Sequence, residues 1–225
     1  ALFAQVETAA SVSVPPAVRD SMAALSAGDR AAILDLVRQH IAAGHPGYDA
    51  VPSLVLAAMS AIGHQWEANR IPIYREHLAT ETALQVLAAL PSLAPGAPLL
   101  SRKALVSCVP RDHMQITTMA LTIYLQMRGW SAASLGQGLP AQQIAEAAHA
   151  LQPDALFLSL AMVSRLGGAL EVIERLKDLA PPPLVIFGGR GAQIGRRLIV
   201  SAGGRVADDF DGAHRMALGA GGPHA

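Results

Sequence analysis

The segment Ala104–Ile116, ALVSCVPRDHMQI, decides how this chain is read. It opens with a short, uncharged, mostly apolar run from Ala104 to Val109, which Pro110 and a group of polar residues bring to a stop. Such a run is short for a helix and reads as a strand buried in a parallel sheet. From Met114 to Arg128 the spacing turns helical. The same unit recurs downstream. Gly129–Gly136 (GWSAASLG) reads as a strand and turn before a helix over Gln142–Leu151. Ala155–Leu160 precedes a helix over Gly168–Leu179, and Leu184–Phe187 precedes one over Gln193–Ser201. A strand stub at Val206 precedes a last helix over Asp209–Leu218. Strand and helix alternate for about 110 residues, which predicts an α/β domain with a five-stranded parallel sheet and helices on both faces.

The chain before this unit has a different pattern. Pro16 opens a helix to Ala27, a position proline favours. Asp29–Ala43 repeats Ile33, Leu36, Val37 and Ile41 on one face until GHPGYD (Gly44–Asp49) breaks it. A third helix runs over Val51–Asn69, and Pro72 starts a fourth that reaches Leu90. Four helices with short joints predict a four-helix bundle. The proline-rich PSLAPGAPLLS (Pro91–Ser101) reads as a linker, so the expected division is a helical bundle over 1–92 and an α/β domain over 102–225.

Composition narrows the function classes. Of the 225 residues 52% are hydrophobic, and 17 basic residues balance 17 acidic ones. Zero net charge gives no global attraction to nucleic acid, so direct binding by this chain is not expected. One cysteine, Cys108, rules out an internal disulfide and fits a reducing cytoplasm. The first residues do not read as a signal peptide, and apolar runs such as Ala155–Val163 are too short to span a bilayer. The expectation is a cytoplasmic protein away from the membrane. The chain carries no G-x-G-x-x-G after the first strand, no Walker-type loop and no G-x-S-x-G. Enzyme activity is not expected.

Ligands of parallel sheets bind outside the carboxyl ends of the strands. Three loops lie there: VPRDHMQI (Val109–Ile116), LSLAMVS (Leu158–Ser164) and FGGRGA (Phe187–Ala192). His113 follows the first strand and can ligate a metal, although a solvated loop histidine is the plainer reading. Ser159 closes the third strand and can donate a hydrogen bond. Gly188 and Gly189 follow the fourth and let backbone approach a flat ligand, or simply make a tight turn. In the helical half, QWEANRIPIYREH (Gln65–His77) places Trp66, Glu76 and His77 around the joint between two helices. Folded side by side, those helices can bring all three side chains to one end of the bundle. The other histidines, His40, His45, His64, His149, His214 and His224, are scattered and read mostly as surface, with His64 standing apart because it is two residues from Trp66.

Taken together, these residues resemble the cobalamin-binding domains of methionine synthase, of corrinoid methyltransfer proteins and of the light-sensing cobalamin-dependent repressors. The W-x(9)-E-H spacing of Trp66, Glu76 and His77 is similar to the photoreceptor branch, which includes stand-alone antirepressors. The resemblance spans about residues 16–218. It implies a Rossmann-like (flavodoxin-like) cobalamin-binding-type domain with the bundle as a lid over a tetrapyrrole. It also implies His113 as the metal ligand if cobalamin or haem is bound. Output would pass through a transcriptional repressor, or a DNA-binding domain outside this chain, and relatives form homo-oligomers through the bundle.

The sequence departs from the family's first loop, E/D-x-H-x-x-G. Arg111 stands at the acid and Ile116 at the glycine, where the cofactor's tail passes in the family. Asp112 is one position off, so its side chain is expected to point elsewhere than at His113. Glu67 follows Trp66 where photosensing members carry a histidine that captures cobalt. Arg111 and Arg190 sit at the cleft edge, and arginine pairs with carboxylates. The expectation is therefore an anionic tetrapyrrole, biliverdin or haem, in preference to cobalamin (adenosylcobalamin). A cobalamin-dependent photoreceptor or antirepressor is the alternative, followed by a corrinoid carrier for a methyltransferase and a ligand-free protein-binding scaffold. Cys108, at the end of a buried strand, is expected to act as a small apolar residue rather than a covalent bilin anchor.

Overall fold

The computed structural model describes residues 14–219. His224 and the outer ends of both expected domain ranges lie outside them. The helical half consists of α1 (Pro16–Ala27), α2 (Arg30–Ala42), α3 (Ala57–Glu67) and α4 (Ile73–Ala89). Gly28, at φ 72°, ends α1 in the left-handed conformation that glycine adopts most easily, and the Asp29 carboxylate caps α2 by accepting from Ala32 N at 3.0 Å. A π-helical turn over Val51–Leu56 runs straight into α3, so Pro52 sits in the first turn of one continuous helix.

The second half alternates as expected: β1 (Lys103–Cys108), α5 (Gln115–Met127), β2 (Ser131–Gly136), α6 (Ala141–Leu151), β3 (Ala155–Ser159), α7 (Leu166–Leu176), β4 (Leu184–Gly188), α8 (Arg190–Ala202), β5 (Arg205–Val206) and α9 (Phe210–Gly219). All pairings are parallel, in the order β2-β1-β3-β4-β5. This is a flavodoxin-like sheet, and its order reverses between β1 and β3, where a crevice opens at the carboxyl edge.

Successive strand residues point to opposite faces, and this divides the core in two. Val106, Phe157 and Ile186 join Leu25, Val37, Val55 and Leu87 of the helical half, with α5 between them. Leu105, Leu156, Leu158 and Val185 face the other way, under α6, α7 and α8. The helical half therefore shares one hydrophobic core with the α5 face of the sheet.

Arg128, just after α5, strengthens that junction. Its guanidinium lies 4.6 Å from the Tyr48 ring centroid and 5.5 Å from that of Tyr124. It donates to Tyr124 Oη at 2.8 Å and to Asp211 Oδ1 at 3.0 Å. That hydrogen bond holds the Asp211 carboxyl below the usual carboxylate range. Burial pushes the Tyr124 phenol up to about 12, against the pull of Arg128. Among the described residues no helix is long and apolar enough to cross a membrane.

Candidate functional site

The loop after β1 is shaped by Asp112. Arg111 takes a left-handed φ of 64°, uncommon for a residue with a side chain. The turn drives the Asp112 carboxylate inward, where it is buried. One oxygen accepts from Met114 N at 3.2 Å and the other from Ala161 N at 2.8 Å. Asp112 thus fastens the β1 loop to the β3 loop, with both carboxylate oxygens engaged by backbone N–H groups. His113 remains exposed, with its ring edge 3.7 Å from where a Gly138 Cβ would stand, so it lies over the loop after β2.

The β3 loop is held from its other side by the start of α8. Gly191 N donates to Ala161 O at 3.0 Å. Gly189 caps the helix at φ 100°, ψ 165°, and a Cβ there would sit 2.7 Å from Leu160 O. Gly188 differs: nothing lies within 4 Å of its Cβ position. The two glycines therefore have separate roles, one permitting close backbone packing and the other leaving space.

That space belongs to a cleft of about 170 Å³ between the carboxyl edge of the sheet, α5 and the start of α9. Ser159, Gly188 and Gly189 line it together with Thr117, Leu121, Phe157 and Phe210, and Asp208 and Asp209 are its acidic members. Ile116 does not line it. Its side chain is buried in the core shared with the helical half, and Thr117, the next residue on α5, lines the cleft instead. Sequence reasoning also passed over Leu121 and the Asp208–Phe210 segment. The latter follows the fifth strand, so the rule that led to the other loops points to it too.

At the other half of the expected site, Trp66 is 42% exposed, and Ile73, Tyr74 and Leu78 around the α3–α4 turn are exposed as well. Trp66 is not a core residue. Several large apolar side chains left open around one turn are characteristic of a binding surface. Glu76 bonds His77 Nδ1 at 2.8 Å and accepts from Thr80 Oγ1 at 3.0 Å, which fixes its carboxylate, while His77 stays exposed. The linker after α4 ties to the end of α5, with Ala97 N donating to Met127 O at 2.8 Å, and α4 packs along α5.

A B12 binding domain model matches residues 102–218, just over half of the chain, and a second B12 binding domain model matches residues 20–90. The chain belongs to the B12-binding domain family. The HTH-type transcriptional repressor CarH of Myxococcus xanthus is 28% identical to this chain over 176 residues, covering 77% of it. The chain spans 58% of that repressor's length. The match agrees with the branch the Trp66, Glu76 and His77 spacing resembles. The monomethylamine corrinoid protein of Methanosarcina barkeri superposes with a TM-score of 0.69 at 21% identity, over 89% of this chain and 96% of that one, which shows a shared fold.

Cobalamin is the cofactor that the two family models and the repressor match support, and the preference for biliverdin or haem is overturned. The preference rested on positive charge at the cleft, and the charge is elsewhere. Arg111 and Arg190 are both exposed and neither lines the cleft, whose charged members are Asp208 and Asp209. Arg190 is not in a loop at all but opens α8. The cleft itself has a volume of about 170 Å³ and a mostly apolar lining. Cys108 is buried, and burial, with Asp112 nearby, pushes its thiol up to about 12, which disfavours the reactive thiolate.

Proposed function

We propose that this chain is a cobalamin-binding sensory module that regulates transcription in response to light, a regulator rather than an enzyme. It acts through a repressor protein or a DNA-binding domain outside the residues described. The reading rests on the apolar cleft lined by Ser159 and Gly188, together with the exposed Trp66 and Tyr74 around the α3–α4 turn. The cleft would take the nucleotide arm, with Gly188 leaving the space and the Ser159 hydroxyl available as a donor. His113 would hold the cobalt. Trp66, Tyr74 and Leu78 would cover the cofactor with apolar surface, and Glu76 with His77 would supply a polar edge. When bound, cobalamin would supply a light-sensitive cobalt centre.

Asp112 spends both oxygens on backbone N–H groups, so the His113 imidazole is not oriented by a carboxylate as metal-bound histidines commonly are. With Glu67 beside Trp66, no histidine is placed there to capture cobalt after illumination. The light response proposed here is therefore release of the apolar cover rather than formation of a second histidine bond.

The test is reconstitution of the full chain with adenosylcobalamin in the dark, followed by gel filtration with absorption detection. A corrin spectrum should co-elute with protein, and Gly188→Leu, which fills the cleft, should lose it without loss of folding. A corrin spectrum that never co-elutes refutes the reading. If the cofactor is retained but neither elution volume nor spectrum changes on illumination, the light response is refuted and cofactor binding stands.

A further inference from the structure

Outside the cleft, the break between α2 and the third helix gathers three potential metal-ligating side chains. His40 is in the last turn of α2, His45 follows in the loop and Asp49 lies in the short 3-10 turn after it. Gly44, at φ 92°, reverses the chain, and His45 N donates back to His40 O at 3.3 Å. The reversal stacks the two imidazoles with centroids 4.3 Å apart and planes 13° from parallel. His40 Nε2 lies 3.1 Å from Asp49 Oδ2. One ligand atom from each residue falls within 4.8 Å of the other two.

We propose that His40, His45 and Asp49 form a site for one divalent transition-metal ion of the zinc type. Two imidazoles and a carboxylate suit borderline cations such as Zn²⁺, with water as fourth ligand. Bonds of about 2.0–2.1 Å put tetrahedral ligand atoms about 3.3 Å apart. The His40–Asp49 pair already has that spacing, and His45 reaches it by a swing of about 1.5 Å at most, which its exposed loop position allows. Two further features favour a cation. The site lies at the C-terminal end of α2, where carbonyl groups concentrate partial negative charge. Asp49 is also oriented before any ion arrives, because Ser53 Oγ donates to its Oδ2 at 3.3 Å and to its backbone carbonyl.

The ion would stiffen a loop that reaches the other half of the molecule. Tyr48, next to Asp49, packs edge-on against Tyr124 at 5.6 Å and lies under the Arg128 guanidinium. A metal at this loop therefore braces the junction between helical half and sheet. This inference is independent of cobalamin binding.

The experiment is calorimetric titration of the tag-free full chain, without cobalamin, with zinc chloride. One site is expected, its affinity reduced about tenfold or more by His45→Ala and by Asp49→Asn, since even loss of an outer partner of a metal ligand costs 10–100-fold. His113→Ala and His77→Ala should leave it unchanged. Zinc should raise the melting temperature of the native chain and not of His45→Ala, whose exposed residue can be removed without unfolding the metal-free protein. Absence of binding at micromolar zinc overturns the site, as does binding that survives both His45→Ala and Asp49→Asn.

Discussion

Replacing Gly189 by alanine should destabilise this protein far more than the same change one residue earlier. Gly189 has φ 100° and ψ 165°, a region essentially restricted to glycine, and forcing another residue there costs about 1–3 kcal/mol. The new Cβ would also stand 2.7 Å from Leu160 O and 3.1 Å from Leu160 C. Those are backbone atoms, and they cannot rotate aside. Their strand N–H groups and the neighbouring Ala161 are pinned, Leu160 N to Gly188 O at 2.9 Å and Ala161 N to Asp112. Relieving such a contact costs about another 1–3 kcal/mol. The sum is roughly 4 kcal/mol, or a fall in melting temperature of about 8–16 °C for a chain of this size. At Gly188 nothing lies within 4 Å and φ is not positive, so alanine should be neutral within about 1 kcal/mol. Thermal and urea unfolding followed by circular dichroism measures both. A Gly189→Ala protein within 1 kcal/mol of native, or a Gly188→Ala protein as damaged as Gly189→Ala, would refute the assignment of separate roles.

Asp112→Ala should cost about 2–3 kcal/mol, because it leaves Met114 N and Ala161 N without their charged acceptor, and Asp112→Asn should recover only part of this, since its amide must turn a donor toward one of those N–H groups. Urea unfolding of the two variants distinguishes this clamp from a loop that tolerates both changes. Burial and the nearby Arg128 charge push the His214 imidazole below its ordinary 6.5, with Asp211 pulling the other way. The unfolded chain therefore binds the extra proton first, so the His214 contribution is fully present above about pH 6.5 and is lost as pH falls through the depressed native value. His214→Phe should flatten that segment of the stability–pH curve, and an unchanged slope would assign it elsewhere. With its thiol at about 12, Cys108 should resist iodoacetamide at pH 8 in the native protein and react once unfolded, as mass spectrometry can show.

Much of the architecture was legible because strand burial and helix period are local signals. The run Ala104–Val109 and the run Ala155–Leu160 became the central strands, and Pro16, Asp29 and Pro72 marked helix starts correctly to within a residue. The misreadings fell where glycine or long-range packing decides. Helix α8 begins at Arg190 rather than Gln193, because its cap is a glycine in an unusual conformation and no serine, threonine or aspartate announces it. Helix α7 begins at Leu166 rather than Gly168 and ends at Leu176 rather than Leu179. At the site, Ser159, Gly188 and Gly189 were recognisable from their place at strand ends. Ile116 was assigned to the ligand because position in a motif does not say which side of a helix faces the sheet crevice. The cofactor preference failed for a related reason: loop charges were counted without knowing which of them line the cleft.

The core that runs unbroken from Leu25 and Val55 to Phe157 and Ile186 has a mechanical consequence. A helical half joined to the sheet in this way cannot swing open as a door does, since doing so would expose the tryptophan- and phenylalanine-bearing interior to water. Rearrangement at the Trp66 end must instead travel as small sliding of α4 along α5, and the molecule should lose its backbone amide protection against hydrogen exchange in both halves together.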